Sequence, residues 1–141
     1  MADHWSAGLI GRAYVPRAAG PDAFDCWGLC KYVWRTRCGY VAPDIAIDPA
    51  NKVACRRAFL DFGNELDNHV SALEVQRPRE YDAVYMTRSR LPDHIGLWTE
   101  PDARGGILHA LEHVGVVFSR ASSLRAIGIH ILAFHRPKGL S

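Results

Sequence analysis

The spacing of apolar residues changes near the middle of the chain. From residue 26, Cys26, Leu29, Cys30, Val33 and Trp34 recur at steps of three and four, the stripe of an amphipathic helix. Asp25 stands before them as an N-cap, and Gly39 supplies a C-terminal stop. A short helix is expected over about Asp3 to Leu9. The loop "GRAYVPRAAGPDAF" follows it, punctuated by Gly11, Pro16, Gly20 and Pro21. After the connector "YVAPDIAIDPA", Pro49 is placed to open a third helix that reaches about Phe62 and closes at Gly63. Residues 64–80 carry no clear period. Beyond them come short strand-like runs, "YDAVYMT", "DHIGLWTE", "GGILHAL", "VGVVFSR" and "GIHILAFHR", separated by Pro, Gly, Asp and Ser. Helices first and strands second predict an α+β fold, with N-terminal helices packed on a C-terminal antiparallel β-sheet.

The length of 141 residues fits one domain, residues 1–141, large enough to bury a core without disulfide staples. A net charge of +2, with no run of Lys or Arg, argues against a nucleic-acid partner. No segment approaches the length of apolar chain that spans a membrane, so no membrane partner is expected. The opening "MADHWSAGLIGR" lacks the basic and apolar regions of a secretory signal. Synthesis in a reducing cytoplasm is therefore expected, with Cys26, Cys30, Cys38 and Cys55 as thiols rather than two bridges.

Cys26 carries the sharpest chemical question. A cysteine in the first turn of a helix meets unpaired N–H groups and the positive end of the helix dipole, which stabilise a thiolate. Cysteine is also a common core residue, so the reading turns on whether a base is at hand. Among seven histidines, His94 and His109 lie on two runs that form a hairpin around "TEPDARG". In the expected register His94 faces His109 and Gly96 faces Ile107, with opposed Cβ atoms about 5 Å apart. One imidazole then orients the other while that one addresses Cys26. His113 and Glu112 are the nearest rivals of His109, since His113 shares its face if the strand continues. His4, His69, His130 and His135 read as surface or satisfied polar residues. Zinc is the competing chemistry, but Cys26 and Cys30 followed by His94 and His109 do not have a recognised zinc spacing. Cys30 reads as core, and neither a metal nor an organic cofactor is expected.

The order "FDCWGL", "DHIGLW", "GGILHA" resembles the NlpC-type cell-wall peptidases, small papain-like cysteine peptidases of bacteria and their phages. The resemblance covers most of the chain. "AYVPRAAGPDAFDCWGL" is similar to the opening of that family, with Tyr14 twelve residues before Cys26. "REYDAVYM" stands where the family has a Gly-Asp turn, "HIGLW" where it has His-Val-Gly-Ile, and "ILHA" on the strand of its third catalytic residue. The resemblance implies a papain-like fold and a Cys-His-His site. Cys26 is the implied nucleophile, His94 the base and His109 the residue that orients it. Tyr14 takes the place of the tyrosine near the oxyanion, and Asp25 and Trp27 flank the nucleophile. The implied substrates are peptidoglycan stem peptides, cut through a thioester. The chain departs from the family at Trp27, where serine is usual, at Tyr81, where glycine is usual, and in "PRAAG". "DCWGL", "GGILHALEHVGVV" and "AFHRP" resemble the phage-tail branch. That branch implies a protein carried in a phage or prophage tail to the cell wall, with other tail proteins as partners. A structural tail-tip protein that keeps the site with little catalysis is the alternative.

Overall fold

A computed structural model describes residues 4–42, 57, 77–88 and 93–137. The helix expected over Asp3 to Leu9 is a single 3-10 turn, Trp5–Gly8, capped by His4. Only Ser6 within it is buried, so no apolar stripe supports a longer α-helix. The loop that follows holds an unexpected parallel pair. Ala13–Tyr14 (β1) lies beside Ala23–Phe24 (β2), with Ala13 opposite Ala23 and Tyr14 opposite Phe24. The Val15 N–H donates to the Phe24 carbonyl at 3.1 Å, and the Asp25 N–H to the Ala18 carbonyl at 2.9 Å. These two-residue strands are too short to show an apolar period.

Helix α1 spans Cys26–Val33 behind the Asp25 cap, and all five residues of the predicted stripe are buried. Gly28 has a specific role: a Cβ there would stand 1.9 Å from the Ala18 carbonyl oxygen, so only glycine lets the preceding loop lie on the helix. The helix runs on into a wider π turn, Trp34–Cys38. There the Thr36 hydroxyl donates to the Tyr32 carbonyl at 2.7 Å, competing with the regular helical ladder. Gly39, at φ 66°, ends the segment where the sequence placed its stop. The third helix expected from Pro49 to Phe62 lies outside the described residues apart from Arg57, as does most of 64–80.

All five expected strands form: β3 (Ala83–Thr87), β4 (His94–Thr99), β5 (Gly106–Leu111), β6 (Gly115–Ser119) and β7 (His130–His135). They make one antiparallel sheet in the order β6-β5-β4-β3-β7. A short helix, α2 (Ala121–Ala126), joins β6 to β7 and buries only Leu124, too little to show a helical stripe. The chain is thus an α+β protein. Helix α1 packs against β4 and β5. Its Leu29, Val33 and Trp34 share a core with Tyr85, Ile95, Leu97 and Leu108. A second cluster holds Val84, Met86, Ile107, Leu124 and Ile129. Neighbouring residues of β3 and β5 alternate between the two clusters, as the strand period requires. Burial on both faces is why these strands read as nearly unbroken apolar runs.

Two links hold the margins of the sheet. Arg136, just past β7, donates from Nε and Nη2 to the two carboxylate oxygens of buried Asp82, both at 2.8 Å. This bidentate pair ties the start of β3 to the end of β7. On the opposite edge, the Gly11 N–H donates to the Val116 carbonyl and the Val116 N–H to the Arg12 carbonyl, each at 2.9 Å. That seam attaches the β1–β2 loop to β6. Among the described residues, no helix is long and apolar enough to cross a membrane.

Candidate functional site

The N-terminus of α1 is built by Asp25. Its Oδ1 accepts from the Gly28 N–H at 2.6 Å and its Oδ2 from the Arg17 N–H at 2.9 Å. One carboxylate therefore fixes both the first turn of the helix and the loop before it. Burial raises the Asp25 pKa, against the lowering effect of the two N–H donors and of Lys31. Cys26 is the first residue of α1, is 7% exposed and is not in a disulfide. Cys30, one turn on, is fully buried. Burial first, then negative charge at Cys26 and Asp25, pushes its thiol well above the ordinary value, so it stays protonated. Trp27 is 2% exposed, with its ring edge-on to Trp34 at 5.7 Å. It anchors the helix in the core. The β1–β2 ladder sets Tyr14 beside Phe24, two residues before Cys26, at a strand spacing of about 5 Å. Tyr14 and Phe24, ten residues apart in sequence, thus lie side by side.

The histidines come together in a register that differs from the expected one. The observed pairs are Leu97 with Leu108, Trp98 with Ile107 and Thr99 with Gly106. Continued, they set Gly96, not His94, beside His109. The cause is the turn. It takes in residues 100–105, one residue further along the chain than the 99–104 of the expected register, and so moves the pairing by two. Asp102 holds it by accepting from the N–H groups of Arg104 and Gly105, and by a bidentate pair with Arg120. A slip of two residues preserves the face on which each side chain lies. His94 and His109 are therefore diagonal neighbours, and His94 Nε2 lies 2.9 Å from His109 Nδ1. Gly96 leaves that path open. A Cβ there would stand 2.9 Å from the His109 Cβ and 2.7 Å from the Ile107 Cγ2.

His109 is fully buried, and its other nitrogen, Nε2, lies 2.9 Å from the Ser119 hydroxyl. Ser119 pairs with Ile107 across β5–β6, which puts it on the His109 side of the strand. Burial lowers the His109 pKa to about 4, so the ring is neutral near pH 7. Ser119 is the member of this line that sequence reasoning missed. Its only signal was a polar residue closing the apolar run "GVVFS". The rivals of His109 lie elsewhere. β5 ends at Leu111, and His113 sits in the following turn at φ 67° with an 89% exposed side chain. Its contact is with Glu112, 3.6 Å away on the surface.

A cysteine at a helix N-terminus and a hydrogen-bonded histidine pair, His109 buried and His94 half-buried, thus stand on elements that pack together, α1 on β4 and β5. Neutral His109 can accept a hydrogen bond from His94 and hold that ring in one orientation. Among the described residues, no group of three or more His, Cys, Asp or Glu side chains is arranged to hold a metal ion. The class these features define is an α+β protein with an imidazole pair across two antiparallel strands. No protein-family model matches the chain, and no curated protein does either.

Proposed function

We propose that the protein is a papain-like cysteine peptidase of NlpC type that hydrolyses amide bonds of peptidoglycan stem peptides, carried to the wall in a phage or prophage tail. The observation that carries this reading is the His94–His109 hydrogen bond on strands that pack against α1. Cys26 belongs to the same buried cluster as Ile95, the residue after His94. Along β4 the histidine alternates with Ile95 and Leu97, which face α1. This reading brings Cys26, the first residue of α1, to His94, the first residue of β4, around the strand end.

In this mechanism His94 uses Nε2 to meet His109, so proton exchange with the nucleophile runs through Nδ1. His94 takes the Cys26 proton, and the thiolate attacks the peptide carbonyl carbon. The oxyanion is held by the backbone N–H of Cys26, in the first turn of α1, and by the Tyr14 hydroxyl. The C–N bond breaks as His94 returns its proton to the leaving amine, which leaves a thioester on Cys26. A water that gives its proton to His94 attacks the thioester, and the acid product departs as the thiol reforms. Asp25 and Trp27 position the nucleophile through the helix and do not touch the reacting atoms.

The test is a peptidoglycan digest with mass spectrometry of released fragments, run on wild type, Cys26→Ala and His94→Ala. Fragments from wild type alone are expected, and their masses identify the bond. Equal release by folded Cys26→Ala overturns the reading. Release by no variant, across several wall types, transfers the weight to a structural tail protein.

A further inference from the structure

The line His94, His109, Ser119 continues the site one residue beyond the pair that the mechanism uses, and Ser119 has no part in that mechanism. Its Oγ lies 2.9 Å from His109 Nε2, while His109 Nδ1 lies 2.9 Å from His94 Nε2. A neutral imidazole carries one N–H, so His109 donates on one side and accepts on the other. Its full burial leaves little room for water to substitute for either partner. The protons along the line are therefore correlated. If Ser119 accepts from His109 Nε2–H, then His109 Nδ1 presents a lone pair to His94. His94 then carries its proton on Nε2, and its Nδ1 is the basic atom. If Ser119 donates instead, both rings flip their tautomers and His94 Nδ1 carries the proton.

We infer that Ser119 is a positioning residue that accepts from His109 Nε2–H and thereby sets the tautomers of both histidines. The inference rests on the peptidase reading for its choice between the two proton orders. Only the first makes His94 Nδ1 a base. The site of Ser119 is well determined. It closes β6 opposite Ile107, and the next residue, Arg120, is clamped onto the β4–β5 turn. Arg120 Nη1 donates to Asp102 Oδ1 at 2.8 Å and to the Gly105 carbonyl at 2.7 Å. The same clamp thus holds the turn that sets the His94–His109 register and the strand end that presents the hydroxyl. Burial of His109 keeps it neutral, so it accepts from His94 whether His94 is neutral or protonated.

The experiment is nitrogen NMR of ¹⁵N-histidine-labelled protein, with resonances assigned by His94→Gln and His109→Gln, on wild type, Ser119→Ala and Ser119→Thr. Wild type is expected to show Nε2–H on both rings. Ser119→Ala is expected to show mixed tautomers at both, and Ser119→Thr, which keeps the hydroxyl, to restore the wild-type pattern. In parallel, kcat on a released stem-peptide bond should fall about tenfold in Ser119→Ala with KM little changed, the loss of about one hydrogen bond. Nδ1–H on His109 in wild type overturns the inference, and so does an unchanged tautomer pattern in Ser119→Ala. The spectra need no substrate. Tautomers that respond to Ser119 in a protein that cleaves nothing sustain the positioning role and sink the peptidase reading.

Discussion

The burial of His109 makes a quantitative claim about stability and pH. The side chain is fully buried, and desolvation lowers its pKa from 6.5 to about 4. In the unfolded chain the ring titrates near its ordinary value. Between these two values the unfolded state binds the proton and the folded state does not, so unfolding becomes more favourable as pH falls. The contribution is complete above about pH 6.5 and is lost as pH falls through the folded value. The interval of about 2.5 pH units, at about 1.4 kcal/mol each, amounts to about 3 kcal/mol. That is a large share of the 5–15 kcal/mol typical of a domain's stability, about a fifth to three-fifths of it. The perturbation is His109→Gln, which keeps a polar side chain and removes the titration. Urea unfolding is then followed at several pH values from 7.5 to 4. The wild-type minus variant difference removes the carboxylates and the histidines that do not touch His109. It is expected to shrink by about 3 kcal/mol across that range, with most of the change between pH 6.5 and 4. A pH-independent difference would refute the assignment of His109 as a buried neutral ring.

Three further outcomes follow from the same geometry. Gly96→Ala places a Cβ 2.7 Å from Ile107 and 2.9 Å from His109. Overpacking of about 1–3 kcal/mol, less the smaller entropic gain of alanine, predicts a net loss of about 1–2 kcal/mol in urea unfolding. A variant as stable as wild type would contradict the close approach. Asp25→Ala removes a helix cap worth about 1 kcal/mol and leaves the Arg17 N–H without its acceptor, a further cost of about 1–3 kcal/mol. Asp25→Asn keeps an acceptor for the Gly28 N–H, and because burial disfavours the charge it should cost less than alanine in the same assay. An asparagine variant less stable than the alanine one would show that the charge, not the hydrogen bonds, holds the helix start. On the proposed peptidase reading, His109→Ala is expected to lower release in the digest by about 100-fold with Cys26 intact, because His94 loses its orienting partner. Release at the wild-type rate would remove His109 from the mechanism.

Helix α1 and the five strands were legible because their signals are local. A stripe at three- and four-residue steps, a cap one residue before it and a glycine after it act between near neighbours. Alternating or continuous apolar runs bounded by turns act the same way. The pairing of His94 and His109 was half legible. The hairpin and the shared face followed from strand period, because an even slip leaves every side chain on its face. The register itself depended on where along the chain the turn sits. That was decided by Asp102, its bonds to the turn backbone and its pairing with Arg120, 18 residues away. The elements that pattern did not show, β1, β2 and α2, are too short to carry a period.

Ser119 marks the same boundary at the level of one atom. Nothing near it in the chain distinguishes its hydroxyl from that of any strand-end serine. It gains a role only because β6 folds back on β5 and closes the second nitrogen of a ring already engaged by β4. The close approach of Ala18 to Gly28, and the pairing of Tyr14 with Phe24, arise in the same way. Local chemistry chose the elements and the residue types able to react. Which of those residues meet was set by turn positions and strand pairings, because hydrogen bonds and packing act over a few ångströms in space, whatever their distance along the chain.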